Sequence, residues 1–231
     1  MLGCPVRNRE KELSEFYLQC IKNIDYDKEK ISVVFIVNDS TDDSLSIIED
    51  FKKENYGIFH DIKIVERNVD YKTDGKIING NFIKRYDRRG RGIYKLLADL
   101  RNMLLEIFLE SGCDRLFSVD SDIEFDSNVL KNLLAYDKDI ISATIDNGGV
   151  HNIMFADSDR GYRHLRVGDK IPKDPFECDL TGAIYLINRN VIGGGVRYGD
   201  HDLGEDIPFC ESAKSLGFKI WGSNIKAMHH M

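Results

Sequence analysis

The spacing of apolar positions along this chain switches repeatedly between a helical and a strand period. Residues 9–24 carry Leu13, Phe16, Tyr17, Cys20, Ile21 and Ile24 at the i, i+3, i+4, i+7 spacing of an amphipathic helix. Ile31–Val37 is a β-branched run and predicts a strand buried on both faces. It ends in Asn38-Asp39-Ser40-Thr41-Asp42-Asp43, a polar turn rich in capping residues, and a helix through Ile47, Ile48 and Phe51 follows. Ile62–Val65 reads as a short strand. Gly92–Gly112 gives the best helix, with Ile93, Leu96, Leu97, Leu100, Met103, Leu104, Ile107 and Phe108 on one stripe and Gly112 as its stop. Leu116–Val119 predicts a strand that ends at Asp120-Ser121-Asp122. A helix capped by Ser127 and a strand around Ile140–Thr144 come next.

Strand and helix thus alternate through roughly the first 145 residues, which predicts an α/β fold with a mainly parallel sheet. The later half is less regular. It offers turns at Asn147-Gly148-Gly149 and Gly193-Gly194-Gly195, a strand at Ala183–Ile187, a helix from Glu205 to Leu216 and a strand at Phe218–Trp221. The stretch Lys84–Lys95 stands apart. Lys84, Arg85, Arg88, Arg89, Arg91 and Lys95 face only Asp87, and its glycines and lack of periodicity predict a mobile basic loop.

Composition narrows the class. The 231 residues suit one domain around one core, and the formal net charge of −7 argues against a dedicated nucleic-acid binder. The longest strongly apolar run, Ile31–Val37, is far short of the ~20 residues of a membrane helix. No basic stretch followed by a long apolar one comes after Met1, so no secretory signal is expected. The five cysteines (Cys4, Cys20, Cys113, Cys178, Cys210) form no CxxC pair. They read as reduced, mostly buried thiols, which points to a cytoplasmic compartment.

Ligands of an open parallel sheet bind beyond the carboxyl ends of its strands. Three polar clusters fall at such ends: Pro5-Val6-Arg7-Asn8, Asn38-Asp39-Ser40 and Asp120-Ser121-Asp122. The last offers two hard carboxylates for Mg²⁺ or Mn²⁺, though the same residues also suit a solvated turn. Gly204-Glu205-Asp206 opens a helix, where acidic residues gain ~0.3–1 kcal/mol from the dipole alone. A second reading makes one of them a carboxylate base beside the metal. His229-His230 supplies a third ligand in the same scheme, or a merely exposed pair.

The order Pro-x-Arg-Asn, Asn-Asp-Ser-Thr-Asp-Asp, Leu-Arg-Asn, Phe-Ser-Val-Asp-Ser-Asp, Gly-Glu-Asp and a final His resembles a GT-A glycosyltransferase of the large family-2 group. Val37–Asp43 and Leu100–Leu105 also resemble the fungal mannan-polymerase, Anp-type enzymes. The resemblance implies a single GT-A domain over 1–231, with a nucleotide-binding half (1–122) and an acceptor-binding and catalytic half (123–231). It implies transfer of a sugar from a nucleotide-diphosphate donor, UDP- or GDP-linked, to a hydroxyl of a glycan, lipid-linked or protein acceptor. Asp39 would recognise the base, with Pro5, Arg7 and Asn8 lining the same pocket. Arg101 and Asn102 match an Arg-Asn pair of the long helix. Asp120 and Ser121 would lie by the ribose, Asp122 and His229 would hold Mn²⁺ or Mg²⁺, and His230 rivals His229. Thr181-Gly182-Ala183 resembles the segment beside the donor sugar. Asp206, with Glu205 as rival, matches the base of inverting members.

Physically, a divalent cation neutralises the leaving diphosphate, and the basic loop 84–95, or Arg160, Arg163 and Arg166, could close over it. Anp-type members retain anomeric configuration and would not need such a base, so the stereochemistry stays open. Three other readings compete with this one. A GT-A-like module could bind a nucleotide sugar without transferring it. A haloacid-dehalogenase-like phosphatase expects its Asp-x-Asp on the first strand with Thr or Val at the fourth position, whereas here the motif is mid-chain and continues Ile123-Glu124. A sugar nucleotidyltransferase needs a Gly-rich N-terminal loop that Leu2-Gly3-Cys4-Pro5 does not supply.

Overall fold

A computed structural model describes residues 1–69, 75–78, 81–84, 93–159 and 161–230. β1 (Leu2–Val6) leads into a helical rod made of α1 (Glu10–Glu12), a π turn (Leu13–Tyr17) and α2 (Leu18–Asn23). The rod follows the expected apolar stripe: Leu13, Phe16, Tyr17, Ile21 and Ile24 are all buried. β2 (Ser32–Val37), α3 (Ser44–Glu54) and β3 (Asp61–Glu66) come next. β4 (Gly75–Ile78) and β5 (Asn81–Lys84) form a separate antiparallel hairpin. α4 (Ile93–Glu110) is the long helix, followed by β6 (Arg115–Val119) and β7 (Ile123–Phe125). Of the basic stretch, residues 85–92 lie outside the described residues, as does Arg160.

α5 (Val129–Ala135) and β8 (Ile140–Thr144) precede a hairpin of β9 (Val150–Asp157) and β10 (Gly161–Arg166). β11 (Phe176–Cys178), β12 (Ile184–Asn188), α6 (Arg189–Gly193), α7 (Asp206–Ser215) and β13 (Ile220–His229) complete the fold. Ser127 does not cap α5. The cap position is Asn128, without a side-chain bond, and the Ser127 carbonyl instead accepts the Asp25 N–H at 2.8 Å.

The main sheet runs β11-β13-β8-β12-β6-β1-β2-β3. β6, β1, β2 and β3 are mutually parallel, while β12 is antiparallel to both neighbours. The β2 pleat shows how the layers form. Val33, Phe35 and Val37 face the core under the helical rod and α3; Val34 and Ile36 face the core under α4. Each such fully buried side chain contributes roughly 1.5–3 kcal/mol, so two helical layers hold a sheet that is apolar on both sides.

β13 changes partner along its length. Ile220–Gly222 pair in parallel with β8, the register shifts, and Ala227–His229 then pair antiparallel with β7. That crossing brings the C-terminal histidines to the end of β6, and the short strand Phe218–Trp221 expected from the sequence is only its beginning. The five cysteines are free, and Cys4, Cys178 and Cys210 are buried as expected of small hydrophobes. Among the described residues no helix is long and apolar enough to cross a membrane.

The approach of α4 to the sheet depends on Gly3, where a Cβ would lie 2.6 Å from both methyl carbons of Leu104. Gly3→Val should therefore lower stability by ~1–3 kcal/mol through overpacking. Urea unfolding would check this, and an unchanged midpoint would show that α4 can shift at no expense.

Candidate active site

A cleft of about 440 Å³ opens at the carboxyl ends of β1, β2 and β6. Its lining includes Pro5, Arg7, Arg9, Asn38, Arg101, Asp120, Ser121, Asp122, Thr181, Gly182, Glu205 and Asp206. Most of the residues singled out in the sequence thus meet in one place. Asn8, Asp39 and His229 do not line it.

The β1 and β2 ends are clasped together. Asn8 (φ 50°) and Asp39 (φ 48°) both adopt the left-handed conformation that Asn and Asp tolerate better than most residues, and so turn the chain at the sheet edge. The Asn8 N–H donates to Ser40 Oγ at 3.1 Å, and its Oδ1 accepts from the Thr41 N–H at 2.8 Å. Asp39 Oδ1 accepts the Val69 N–H at 2.8 Å. Both side chains brace these loops, and Asn38 is the member of its cluster that reaches the cleft.

Arg101, which is buried, joins three elements. From α4 its Nε donates to Glu205 Oε1 and its Nη2 to Asp120 Oδ1, both at 2.8 Å, while its guanidinium lies over the Tyr198 ring. Asn102 beside it holds the Tyr198 backbone at both its N–H and its C=O. Asn102 is therefore a brace, and Arg101 is both brace and cleft wall. The Arg101 Nη1 and the Thr181 Oγ1 are buried without a hydrogen-bond partner among the described residues. Both line the cleft, where a polar ligand would satisfy them.

Glu205 and Asp206 diverge at the start of α7, as adjacent helical side chains must. Glu205 is spent on Arg101; Asp206 lies over Gly182. A Cβ at position 182 would come within 2.1 Å of Asp206 Oδ2, so only glycine leaves room for this carboxylate. Asp206 Oδ1 accepts from the Tyr185 hydroxyl at 3.2 Å, and Tyr185 in turn bonds the Tyr198 hydroxyl. Burial pushes the Asp206 carboxyl up to about 7; Glu205 and Asp120 add to the rise, and Arg101 opposes it.

Asp122 meets two partners. Arg9 Nη2 donates to its Oδ2 at 2.8 Å, and His229 Nε2 lies 3.7 Å from the same oxygen. His230 turns away, stacks on Phe16 and pairs with Glu124 at 2.8 Å. The β7–β13 register decides between the two histidines, since His229 stands opposite Ile123. Arg9 was not foreseen: its position after Asn8 carries no pattern that distinguishes it from the other arginines. Among the candidate arginines of β10, Arg163 is half exposed and 4.0 Å from Asp169, and it is His164 of that strand that reaches the cleft.

Among the described residues no group of three or more His, Cys, Asp or Glu side chains is gathered to hold a metal ion. Asp120 and Asp122 each engage an arginine through one oxygen, and among the described residues no hydrogen bond takes the other. His229 keeps its Nδ1 buried and unpartnered while Nε2 lies 3.7 Å from Asp122.

The Anp1 family model matches residues 1–157, about two thirds of the chain. The chain belongs to the Anp1 family. A curated relative, the mannan polymerase II complex anp1 subunit of Schizosaccharomyces pombe, is 26% identical over 149 residues, which is 61% of this chain but 33% of that protein. Among solved structures, Staphylococcus aureus TarS 1–349 with UDP-GlcNAc superposes with a TM-score of 0.62 at 16% identity, covering 98% of this chain and 57% of its own. A Pyrobaculum calidifontis mannosyltransferase with GDP-Man and Mn²⁺ gives 0.63 at 14% identity, covering 99% and 55%. The fold is thus GT-A, as expected, and the Asp-x-Asp follows β6 and not the first strand, where a dehalogenase-like phosphatase requires it. The chain spans little more than half of these proteins at most. The family match ends before Thr181, Gly182, Glu205, Asp206 and His229, so those positions stand on geometry.

The buried Asp206 carboxyl makes stability depend on pH in a stated direction. Its folded value lies above the unfolded 3.8, so the folded state holds the extra proton between about 4 and about 7. Stability from this group is present below that window and falls as pH rises through it. Asp206→Asn should therefore melt higher than wild type at pH 8 and show much less gain at pH 4. Equal differences at the two pH values would refute the assignment.

Proposed function

We propose that this chain is a metal-dependent glycosyltransferase domain that moves a sugar from a UDP- or GDP-linked donor to an acceptor hydroxyl. The observation that carries the reading is the convergence in one cleft of Asp120, Asp122, the unpartnered Arg101 Nη1 and Thr181 Oγ1, and Asp206 over Gly182. Membership of the Anp1 family and the GT-A fold support it; UDP-GlcNAc and GDP-Man are bound in the similar structures. Residues 1–122 bind the nucleotide and 123–231 supply the acceptor side, within one domain.

Pro5, Arg7 and Asn38 form the wall on which the nucleotide rests, with Asp39, Asn8 and Ser40 holding that wall in place. Asp120 and Ser121 face the ribose. Asp122 and His229 would be the residues to hold a divalent cation, Mn²⁺ or Mg²⁺, whose chemistry would be to neutralise charge on a diphosphate. Thr181 and Gly182 floor the sugar site, and Arg101 Nη1 donates to a donor oxygen. In an inverting reaction Asp206 takes the proton of the acceptor hydroxyl as it attacks the anomeric carbon. Its raised carboxyl value suits a group that must both lose and gain a proton near neutrality. The acceptor, whether glycan, lipid-linked or protein, enters past Leu203 and His164 at the cleft mouth.

Thermal-shift titration with UDP and GDP, with and without Mn²⁺, tests the donor site. Stabilisation should follow RT ln(1 + [L]/Kd) and need the cation. Asp122→Ala should abolish the Mn²⁺-dependent part while the fold persists. Loss of neither on adding EDTA would reduce Asp120-Ser121-Asp122 to a turn.

Asp206→Asn should lower transfer by ~10²–10⁴-fold with nucleotide binding retained. Near-normal transfer would exclude Asp206 as base and favour a retaining reaction or Glu205. Nucleotide-sugar binding with no turnover by wild type on any acceptor would favour a non-catalytic binding module.

A further inference from the structure

One wall of the cleft carries polar atoms that the protein itself does not use. His164 of β10 pairs with Met154 of β9, and Met154 pairs in turn with Leu180, so the three stand abreast and all line the cleft. Met154 and Leu180 exchange backbone hydrogen bonds at 3.0 and 3.2 Å, which fixes this wall. The His164 Nδ1 lies 2.9 Å from the His151 carbonyl oxygen. A carbonyl can only accept, so Nδ1 carries the proton and the neutral ring presents a bare Nε2. Among the described residues no hydrogen bond takes that nitrogen.

Two asparagines at the start of β9 make a contrast. Asn152 is fully engaged: its amide nitrogen reaches Ser142 Oγ and the Ala143 and Gly182 carbonyls, each at 3.0 Å, and its oxygen accepts the Ile145 N–H at 3.0 Å. Asn147 is idle. Its turn is closed without the side chain, by the Asn147 N–H on the Val150 carbonyl at 2.7 Å and the Gly149 N–H on Asp146 Oδ1 at 2.8 Å. The Asn147 Oδ1 is nevertheless buried without a partner, as is the Thr181 Oγ1 next to Leu180, and both residues line the cleft.

We infer that His164 Nε2 and Asn147 Oδ1 accept hydrogen bonds from hydroxyls of a pyranose ring, which makes these two residues the ones that select the sugar. The inference rests on the reading of the cleft as a nucleotide-sugar site. The arginines of the cleft can only donate and suit phosphate, whereas these two atoms can only accept and repel it. Their occupant must bring O–H or N–H donors. Met154 and Leu180 beside His164, with the exposed Leu203 at the cleft mouth, add apolar surface. A pyranose has both features, C–H faces and a rim of hydroxyls. A sugar without a hydroxyl at either atom leaves that acceptor unpaired, and this mismatch is how the wall discriminates.

Donor and acceptor sugars share this chemistry, and calorimetric titration of the full chain tells them apart. One arm compares UDP-GlcNAc and GDP-mannose with UDP and GDP, which isolates a donor sugar. The other adds methyl mannoside and methyl N-acetylglucosaminide to protein saturated with nucleotide, which isolates an acceptor sugar. His164→Asn keeps an N–H for the His151 carbonyl but has no atom at Nε2, and Asn147→Leu removes the idle oxygen. Each should weaken sugar binding roughly three- to tenfold in one arm, with Kd for UDP and GDP unchanged. His164→Gln, which returns a polar atom near Nε2, should recover part of the loss. Without ligand, Asn147→Leu should melt no lower than wild type, since the atom removed has no partner.

Sugar affinity equal to wild type's in both arms, for either His164→Asn or Asn147→Leu, would overturn the inference, as would an equal loss for the bare nucleotides. Wild type that binds nucleotide but gains nothing from any of these sugars would overturn it and leave the nucleotide site standing. Failure of wild type to bind any nucleotide or sugar would overturn the nucleotide-sugar reading and the inference with it.

Discussion

One buried guanidinium organises this molecule. Arg101 reaches from α4 to Asp120 at the end of β6 and to Glu205 at the start of α7, 19 and 104 residues along the chain. Without it, three carboxylates (Asp120, Glu205, Asp206) would meet in a partly buried corner, a juxtaposition that like-charge repulsion and desolvation both oppose. Arg101 can offset two of them through its hydrogen-bonded fork. The third, Asp206, holds its proton instead: burial raises its carboxyl value first of all, and the neighbouring Glu205 and Asp120 add to the rise against Arg101. The local packing belongs to the same arrangement. Tyr198 lies beneath Arg101, Asn102 holds the Tyr198 backbone, and Gly182 surrenders its side-chain volume to the Asp206 carboxylate.

A second constraint acts at the other side of the cleft. Two parallel strands, β1 and β2, end level with each other, and their polar termini hydrogen-bond across the gap through Asn8, Ser40, Thr41, Ser44 and Asp42. The buried Tyr17 of the π turn donates to the Val119 carbonyl at 2.9 Å, one residue before Asp120. A π turn re-aims side chains relative to a regular helix, and such turns recur at functional sites. Here it ties the first helical rod to the strand that delivers the Asp-x-Asp. The end of β6 is thus held from both helical layers, by Tyr17 on one side and Arg101 on the other.

Much of this was legible in the sequence because it is local. The β-branched run of β2, the stripe of α4 and the capping residues after β2 report their own conformation through period and composition. The carboxylates at strand ends were legible for the same reason, since a parallel sheet puts its strand ends at the ligand edge. What was not legible depends on pairing between distant segments. The change of partner along β13 is a register event, and no residue in Phe218–Trp221 announces it. The β9–β10 hairpin carries few strand-period cues, because in β9 the consecutive residues His151, Asn152 and Ile153 are all buried and two of them are polar. Arg9 lies next to recognised residues, but its ion pair with Asp122 spans 113 residues and only the fold creates it. Asn8 and Asp39 show the converse: correctly placed at the edge, they are used to shape it.

The charge inventory of the cleft bears on what it can hold. Arg7, Arg9 and Arg101 stand against Asp120, Asp122, Glu205 and Asp206, and the last of these retains its proton toward neutral pH. The lining is therefore close to electrical balance, although the chain as a whole is acidic. Arg9 and Arg101 are already neutralised by carboxylates at hydrogen-bond distance, and among the described residues Arg7 alone of the three makes no ion pair. The pull on a diphosphate then falls to Arg7, unless the other two let go of their carboxylates or extra positive charge arrives with the ligand. Arg101 cannot let go without leaving the buried Glu205 and the partly buried Asp120 unpaired. The Arg9 pair is the more exposed of the two, so the Asp122 corner is where extra positive charge can be admitted at the lowest penalty.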